Sequence, residues 1–402
     1  MKRKETKHSN EQKDELIGSE EYLMLPEDER EKWTPVKDKY EKVPLWCKIS
    51  LIVALLSVIL YVIICFSPPF ADFFNKYISG FFRFIFAQIS NILPFSIAEA
   101  ALILIPVFLV LIIRYVWKYR CNTRKSTLVT LVCIFSVASV FLSSFIITFS
   151  AGYRGTKLEE KLGLEATELD KDDLYNASVY LIEEINRLEP MIEFGEDGFS
   201  IMPYTFSEMN DKLIDAYESF SKEHGFINNF YSKLKPVLMS EAMSYAHITG
   251  VYTFFTGESN INVGFPDYTI PYTAAHELAH QRGIAREDEA NMMAFLVSVE
   301  SDDIYIRYCA YVNMYEYVAN ALYKADRTLY RKADAMLSRK VYGEQVAYSK
   351  FFKKYVKSVT SQISGAVNDA YLQSQGTAGR KSYGMVVDLT AAYLKSNALI
   401  EK

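Results

Sequence analysis

The chain has 402 residues, enough for more than one folded domain, and a formal net charge of −5. Acidic and basic residues are mixed throughout, so the sequence lacks the basic surface that nucleic acid requires, and we expect no nucleic-acid partner. Half of the residues are apolar, and charged residues avoid long runs in the first third of the chain. The five cysteines lack the C-x-x-C spacing of a structural zinc site.

Residues 1–43 are polar and mixed in charge, with KRKETKHSNEQKDE near the start and LPEDEREKW further on. They lack the short apolar core and the cleavage site of a signal peptide. This composition predicts a disordered tail, because too few apolar groups are present to compensate the entropy of ordering. The alternative is an arm that binds a partner or regulates the protein.

Three apolar stretches predict transmembrane helices at about residues 48–67, 95–116 and 127–149. No charge falls within Ile49–Phe66 or Ser126–Tyr153, and the middle stretch carries only Glu99, near its start. A hydrocarbon core of about 30 Å takes about 20 helical residues, so each stretch is long enough to cross it. We expect Glu99 to be an interfacial carboxylate that reaches water, with a functional role as the alternative.

Residues 70–92, between the first two stretches, predict an amphipathic helix. Apolar residues recur there at helical period, and the polar residues Asp72, Asn75, Lys76, Ser79 and Arg83 fall on the other face. A helix of this kind lies in the membrane interface. A fourth span is disfavoured, because it would reverse the side on which the C-terminal region lies and disturb the charge asymmetry of the connections.

The Lys and Arg residues beside the spans predict the orientation. Six lie between Arg30 and Lys48, before the first span, and five lie between Arg114 and Lys125, after the second. Only Lys76 and Arg83 lie between the first two spans. Because positive residues concentrate on the cytoplasmic side, we expect a multi-pass protein of the cell membrane with a cytoplasmic tail. Residues 151–402 would then be extracytoplasmic.

From residue 151 onward the pattern is mostly helical, with one exception. The stretch Gly250–Thr273 is rich in Tyr, Phe, Thr, Val and Gly and predicts one or two short strands. The helices are predicted at Leu174–Arg187, Phe206–His224, more weakly Phe226–Leu238, Met292–Val299, Tyr305–Lys324, Thr328–Leu337, Ser349–Ser374 and Tyr383–Lys395.

After the predicted strands comes the pattern H-E-x-x-H, formed by His276, Glu277 and His280. On a helix, positions i and i+4 share a face, so both imidazoles can reach one metal ion. Glu277 points to a neighbouring part of the same turn, where it can take a proton from the attacking water. Two His ligands and an adjacent Glu base are typical of a zinc hydrolase, with Zn²⁺ as the cofactor.

Catalytic zinc takes three protein ligands and leaves one position open. We expect Gly283 to end the helix in the left-handed conformation, after which the chain can enter a second helix near Arg286. Glu287 opens that helix and is the predicted third ligand. Asn291 lies one turn on and would hold a ligand in place.

Other residues remain alternatives for the third ligand. Glu289 and Asp288 follow Glu287 on the same helix, and Glu289 could also support the site as a neighbour of the ligands. His247 lies upstream on a helical pattern, where a packed or exposed histidine is the more common finding.

The substrate contacts are less specific. The predicted strand could pair with an extended peptide, as exposed sheet edges do, through Tyr252, Phe254, Thr256 and Gly257 within Tyr252–Asn262. A structural hairpin is the alternative. Tyr383 follows a glycine-rich turn, and its hydroxyl could stabilise an oxyanion; a loop packed on the core is the alternative.

The motif pair resembles the gluzincin class of zinc metallopeptidases, which use H-E-x-x-H and a downstream Glu. The whole chain resembles a bacterial membrane family of uncharacterised function, with three N-terminal spans and a C-terminal domain bearing HELAHQ-x-G-x-A-x-E-x-EAN. FTGESNINV and KSYGMVVDL also match. Only six residues separate His280 from Glu287, fewer than in well-known gluzincins. The metzincin spacing would put the third ligand at Arg286, which cannot bind zinc.

The sequence thus predicts a mainly α protein, with a three-helix transmembrane region at 44–150. A helical, zincin-like α+β domain at 151–402 would carry a small sheet before the H-E-x-x-H helix. The expected function is a membrane-anchored zinc metallopeptidase that hydrolyses a peptide or protein outside the cytoplasm, with the lipid bilayer as the other partner. The alternatives are a non-catalytic receptor or an envelope-assembly protein with a metal-binding ectodomain. Glu277 favours the enzyme, because a structural zinc site needs no general base.

Overall fold

The computed structural model describes Met24, Pro26 and residues 42–117, 123–164 and 169–400, without the side chains of Arg380 and Tyr383. The predicted disordered tail lies almost entirely outside these residues, as does part of the connection between the second and third spans.

Within the described residues the chain is mainly helical, with one three-stranded sheet in the C-terminal region. The strands are β1 (Lys235–Pro236), β2 (Gly250–Thr253) and β3 (Glu258–Ile261). The helices are α1 (Leu45–Phe66), α2 (Pro68–Phe73), α3 (Gly80–Asn91), α4 (Ile97–Tyr115), α5 (Arg124–Thr148), α6 (Leu158–Lys161), α7 (Lys171–Leu188), α8 (Phe206–Glu223), α9 (Ser240–Tyr245), α10 (Ile270–Gln281), α11 (Glu287–Val299), α12 (Ile304–Ala325), α13 (Arg327–Asp334), α14 (Arg339–Phe352), α15 (Val359–Ser374) and α16 (Val386–Ser396).

The predicted fold class is confirmed, and so are three helices that could span a membrane. In the described part of the chain, α1, α4 and α5 are long and apolar enough to do so. Their bounds agree closely with the predicted stretches, because the length of an uncharged run fixes where a spanning helix can begin and end.

The chain divides into two compact units. One comprises Met1–Val53 and Pro106–Val140, and the other comprises Ala54–Ile105 and Phe141–Lys402. In the first unit, the thiols of Cys47 and Cys133 lie 3.5 Å apart. The second unit groups the amphipathic segment after α1 with the whole C-terminal region.

The core of the second unit is built around α10, α11 and α12. Helix α7 packs along α12, and α10 packs against both α11 and α12. Both α10 and α11 carry buried alanines: Ala275, Ala279, Ala290 and Ala294 have no exposed surface. Small side chains let two helices approach closely, so the alanines bring the backbones that carry the predicted ligands together.

The sheet has the order β1-β3-β2, with β2 antiparallel and β1 parallel to the central β3. The predicted pair of strands is therefore present as the hairpin β2–β3. Its turn contains Gly257 at φ +71, and a Cβ there would lie 2.6 Å from the Cβ of Phe86 in α3. Only glycine permits this close approach and this backbone conformation.

Two helix predictions in the C-terminal region are wrong. The stretch Phe226–Leu238 is irregular and ends in β1, because its polar groups bind the amphipathic segment rather than each other. Lys235 Nζ, for example, donates to the carbonyls of Ser90 and Leu93, 2.7 and 2.6 Å away. The predicted helix Ser349–Ser374 is interrupted between α14 and α15, where the side chain of Tyr355 is buried.

The amphipathic segment is helical over residues 68–91, as α2, a π-helical turn and α3. Its polar face is turned toward the protein: Asp72 accepts hydrogen bonds from Thr156, and Asn75 Nδ2 donates to the carbonyl of Gly283 at 2.9 Å. Its apolar face is exposed, with Phe81 59% accessible. A surface helix in water has the opposite arrangement, with its polar face exposed. An exposed apolar face is expected where a helix contacts lipid.

Arg83 of α3 is the buried centre of this contact. Its Nη1 donates to the carbonyl of Thr148, the last residue of α5, at 2.7 Å. Its Nη2 donates to the carbonyl of Arg282, which follows α10, at 3.4 Å. Burial lowers the pKa of Arg83 to about 10, so the guanidinium stays charged at neutral pH. One cation thus binds the C-terminal ends of two helices, where the helix dipole is negative.

We predict that Arg83→Met destabilises the protein strongly, by about 3 kcal/mol or more, because it leaves buried carbonyls without donors. The measurement is thermal unfolding of the full chain in detergent. Lys76→Met is the matched control, because Lys76 donates to the carbonyl of Gly225 from the same segment at an exposed position. Equal shifts in the two variants would contradict the role of Arg83.

Candidate metal centre

Helix α10 ends in a turn that sets the direction of the next helix. The N–H of Gly283 donates to the carbonyl of His280 at 2.9 Å, and that of Ile284 donates to the carbonyl of Ala279 at 3.1 Å. These two bonds form a Schellman motif, which requires the left-handed conformation that Gly283 adopts at φ +100. The predicted helix end at Gly283 is confirmed. The chain then enters α11, whose first residue is Glu287.

The turn brings three predicted ligands together. His276 Nε2 lies 3.2 Å from Glu287 Oε2, and His280 Nε2 lies 3.4 Å from the same oxygen. In the described part of the chain this is the one group of at least three His, Cys, Asp or Glu side chains whose ligand atoms could hold a metal ion. All three residues are less than a tenth exposed. The short spacing between His280 and Glu287 is therefore no obstacle.

A hydrogen bond sets the tautomer of His280. Its Nδ1 lies 2.7 Å from the carbonyl oxygen of Ile284, which can only accept. Nδ1 therefore carries a proton whatever the charge of the ring, which leaves Nε2 as the nitrogen that can bind a metal. The Schellman turn supplies this carbonyl, so the same local geometry ends the helix and orients the imidazole.

Glu287 and His280 stabilise each other's charged forms. Desolvation lowers the pKa of His280, but the Glu287 carboxylate outweighs it and raises the pKa to about 9. Burial alone would raise the pKa of Glu287, yet the two imidazoles hold it well below its usual range. A buried carboxylate between two imidazoles is stable when a proton or a metal cation supplies the opposite charge.

Two of the three distances between the ligand atoms are compatible with zinc. In a tetrahedral site with bonds of about 2.0–2.1 Å, ligand atoms lie about 3.3 Å apart. The separations of 3.2 and 3.4 Å between Glu287 and the two imidazoles match this edge length, and all three ligand atoms lie within 4.8 Å of one another. Two imidazole nitrogens and one carboxylate oxygen are also the donor set of a catalytic zinc site with one position left open.

Glu277 is packed between the cluster and the sheet. It is 5% exposed, and its Oε2 has no hydrogen-bond partner among the described residues. A Cβ at Gly250 in β2 would lie 2.6 Å from Glu277 Oε1, so only glycine leaves room for this carboxylate. Burial raises the pKa of Glu277, and the imidazoles of His276 and His280 oppose that rise. An elevated pKa suits a group that takes up and returns a proton.

The other predicted ligands lie elsewhere. Glu289 accepts hydrogen bonds from Arg286 Nη1 at 2.7 Å and from the N–H of Leu158 at 3.0 Å, so it is directed toward the segment after α5. Asp288 is outside the cluster, and burial raises its pKa to about 6. His247 Nε2 lies 2.8 Å from the carbonyl oxygen of Tyr355.

Asn291 is buried on α11, one turn after Glu287, and its backbone carbonyl accepts a hydrogen bond from the hydroxyl of Tyr272 at 2.9 Å. Its predicted role in holding a ligand stays a prediction. Tyr383 lies in a 3₁₀ turn, Gly379–Met385, and its side chain is outside the described residues.

The residues predicted as a substrate edge are mostly turned toward helices. The ring of Phe254 packs on α5, and that of Tyr252 packs on Phe149, which follows α5. Thr256 bonds to Thr253 within the turn, and the carbonyl of Gly257 accepts from Gln281. Strand β3 is central, so of the predicted edge only β2 lies at the margin of the sheet.

Two aromatic residues near the cluster were not predicted. The ring of Phe149, which follows α5, lies 5.9 Å from the ring of His280. Tyr371 of α15 has its hydroxyl 3.2 Å from that of Tyr153. Burial raises the pKa of Tyr371 to about 12, with the charge of Glu287 adding to it, so the phenol keeps its proton at neutral pH. In the sequence, the only sign of Tyr371 is the four-residue spacing of Val359, Ile363, Val367 and Tyr371, which puts them on one face of α15.

Comparison with known proteins gives one match. Residues 70–391 match the family described as "Protein of unknown function (DUF3810)". The chain belongs to this family. The match spans the amphipathic segment, two of the three apolar helices and nearly all of the C-terminal region. No curated protein and no solved structure matches the chain.

We predict about one zinc ion per chain in protein purified without chelator, bound by His276, His280 and Glu287. Glu287→Gln should weaken zinc binding at least about 10-fold, because it removes a ligand and its charge. Asp288→Asn is the matched control and should bind zinc like the wild type. Elemental analysis and titration with a competing chelator measure both. Loss of zinc from Asp288→Asn alone would identify a different ligand set.

Proposed function

We propose that this protein is a membrane-anchored zinc metallopeptidase. The observation that carries the proposal is the arrangement of His276 and His280 about one oxygen of Glu287, with the carboxylate of Glu277 beside them. A zinc ion bound there would acidify a water molecule and polarise the carbonyl of the scissile peptide bond. Amide hydrolysis needs both effects, together with a base that can also act as an acid.

Glu277 has the properties of that base. It takes a proton from the attacking water and returns it to the amine that leaves, so its pKa must lie close enough to neutrality for both transfers. Burial moves the pKa in that direction. Its position against Gly250 fixes the carboxylate, because the strand backbone leaves it little room to turn.

The margin of the sheet supports a peptide as the substrate. An extended peptide that pairs with β2 would pass directly beside Glu277, since Gly250 of that strand touches it. Tyr371 can donate a hydrogen bond to the carbonyl oxygen of the substrate as negative charge develops on that oxygen. The sequence predicted this role for Tyr383.

The function is tested by Glu277→Gln. We expect this variant to lose hydrolysis of a peptide mixture by a factor of roughly 10² to 10⁴, because the general base is removed. Its zinc content should stay that of the wild type, because Glu277 is not a ligand. Asp288→Asn, a carboxylate outside the cluster on the neighbouring helix, should keep full activity. Hydrolysis undiminished in Glu277→Gln, or absent from the zinc-loaded wild type, would contradict the proposal.

The proposed orientation places the site outside the cytoplasm. The concentration of Lys and Arg before α1 and between α4 and α5 supports a cytoplasmic N-terminus. Three spans then bring residues 151–402 to the opposite side. We expect alkaline phosphatase fused after Lys402 to be active in cells, and green fluorescent protein fused there and exported by the general secretory route to be dark. The reverse result would put the site in the cytoplasm.

A further inference from the structure

The hairpin β2–β3 lies along the last turns of α5. Three aromatic residues of β2 and its turn contact three phenylalanines spaced by four along the helix and just beyond it, which therefore share one face. The ring pairs are Tyr252–Phe149 at 5.4 Å, Phe254–Phe145 at 5.3 Å and Phe255–Phe141 at 5.5 Å. Eight helical residues rise about 12 Å, so the tip of the hairpin reaches that far along the span from Phe149.

Two further membrane elements hold the same hairpin. Gly257 lies against the backbone of α3, where a Cβ would come within 2.9 Å of the Ala87 nitrogen. Glu258 accepts hydrogen bonds from the N–H groups of Ile97 and Ala98 at 2.8 and 2.9 Å, and so caps the N-terminus of α4. The sheet that carries Gly250 is thus fixed to α3, α4 and α5 together.

The length of α5 indicates how deep in the membrane these contacts lie. About 20 helical residues cross a hydrocarbon core, and counted from Lys125 they end near Phe145. Phe141 falls inside that count, and its ring partner Phe255 lies at the same level. Both rings are well exposed, 48% and 39%. Paired exposed phenylalanines are unfavourable in water and favourable in lipid.

The candidate metal centre lies one aromatic ring away from this span. Phe149, whose ring contacts Tyr252, also contacts the ring of His280. A second apolar face starts at the same place: Tyr371 packs on Phe145 at 6.0 Å, and an exposed stripe continues from it along α15. The members of the stripe are Val359, Ile363 and Val367, between 61% and 69% exposed.

From this placement we infer that the site acts on peptide segments that emerge from the same membrane, and cleaves them a few residues from the lipid surface. The inference rests on the proposed peptidase function and adds the class of substrate to it. A site built for soluble peptides gains nothing from lying against the end of a span. A site for membrane-attached peptides must lie there, because its substrate cannot leave the surface.

The hairpin also gives the distance between the proposed cleavage point and the lipid. Phe255, in the turn after β2, is five residues from Gly250, which touches Glu277, so the two residues lie at most about 16 Å apart. A peptide paired with β2, with its scissile bond at Glu277, therefore reaches lipid after about five residues. The anchor can be an acyl chain or a transmembrane helix, since both hold a peptide at the surface.

The test uses the full chain, loaded with zinc, in lipid nanodiscs. A mixture of peptides with varied core sequence is supplied free, on an acyl anchor or on a transmembrane helix. Each anchor carries a spacer of about 5 or about 30 Gly/Ser residues. We expect cleavage about 10-fold faster with the short spacer than with the long one for at least one anchor, because effective concentration falls with spacer length. The anchor whose peptides are cleaved shows how the natural substrate is held in the membrane. Free peptides should be cleaved most slowly.

Cleavage of the long-spacer peptides but not of the short ones would overturn the inference, because the site would then lie far from the membrane. Free peptides cleaved as fast as anchored ones would overturn it as well, and would leave the peptidase proposal intact. No cleavage of any form would contradict the peptidase proposal itself, and the inference would fall with it.

A second measurement does not depend on activity. Phe255→benzoylphenylalanine places a photoreactive aromatic group at the tip of the hairpin. We expect it to crosslink to lipid acyl chains, detected by mass spectrometry, also in protein that carries Glu277→Gln. Tyr342→benzoylphenylalanine is the matched control, because Tyr342 is an exposed aromatic residue on α14. Lipid adducts at Tyr342 that equal or exceed those at Phe255 would overturn the inference.

Discussion

The arrangement of the second unit depends on one buried cation. The guanidinium of Arg83 binds the carbonyl that ends α5 and the carbonyl that follows α10, and its described partners are all backbone or amide oxygens. Its charge is balanced by the negative ends of helix dipoles rather than by a carboxylate. Because His280 lies two residues before Arg282, the same side chain that fixes the end of a span fixes the end of the helix with two candidate ligands.

Gly283 links this constraint to the metal centre. A side chain there would collide with the Arg83 guanidinium, and its left-handed conformation completes the turn that supplies the Ile284 carbonyl to His280. The turn also brings Glu287 within reach of the two imidazoles, although only six residues separate it from His280. The membrane anchor and the cluster are therefore coupled through a few atoms, which is why the site lies beside the span rather than at a distance from it.

The sequence predicted those features that depend on local pattern. Uncharged runs predicted the three apolar helices, and the i, i+4 spacing with a following glycine predicted the two-helix cluster that the structure brings together. Periodicity also identified the two faces of residues 70–92. Periodicity could not show what each face contacts, because it is a property of one helix and a contact involves two elements.

Features that the sequence left open depend on contacts between distant residues. Lys235 looked like part of a weak helical pattern, yet its ammonium group binds carbonyls that lie more than 140 residues away. Gly250 looked like an ordinary strand residue, and its need for glycine comes from Glu277. Nothing in the local pattern marked Phe149 as a neighbour of His280. The proximity of the cluster to the apolar helix α5 follows from these contacts and from no single motif.

The most direct test of the metal centre is X-ray absorption at the zinc edge of the purified full-length protein. We predict a first shell of nitrogen and oxygen at about 2.0–2.1 Å with scattering from two imidazoles. In His280→Ala, the scattering should fall to that of one imidazole. A sulfur shell at about 2.3 Å, or an imidazole count that His280→Ala leaves unchanged, would contradict a centre formed by His276, His280 and Glu287.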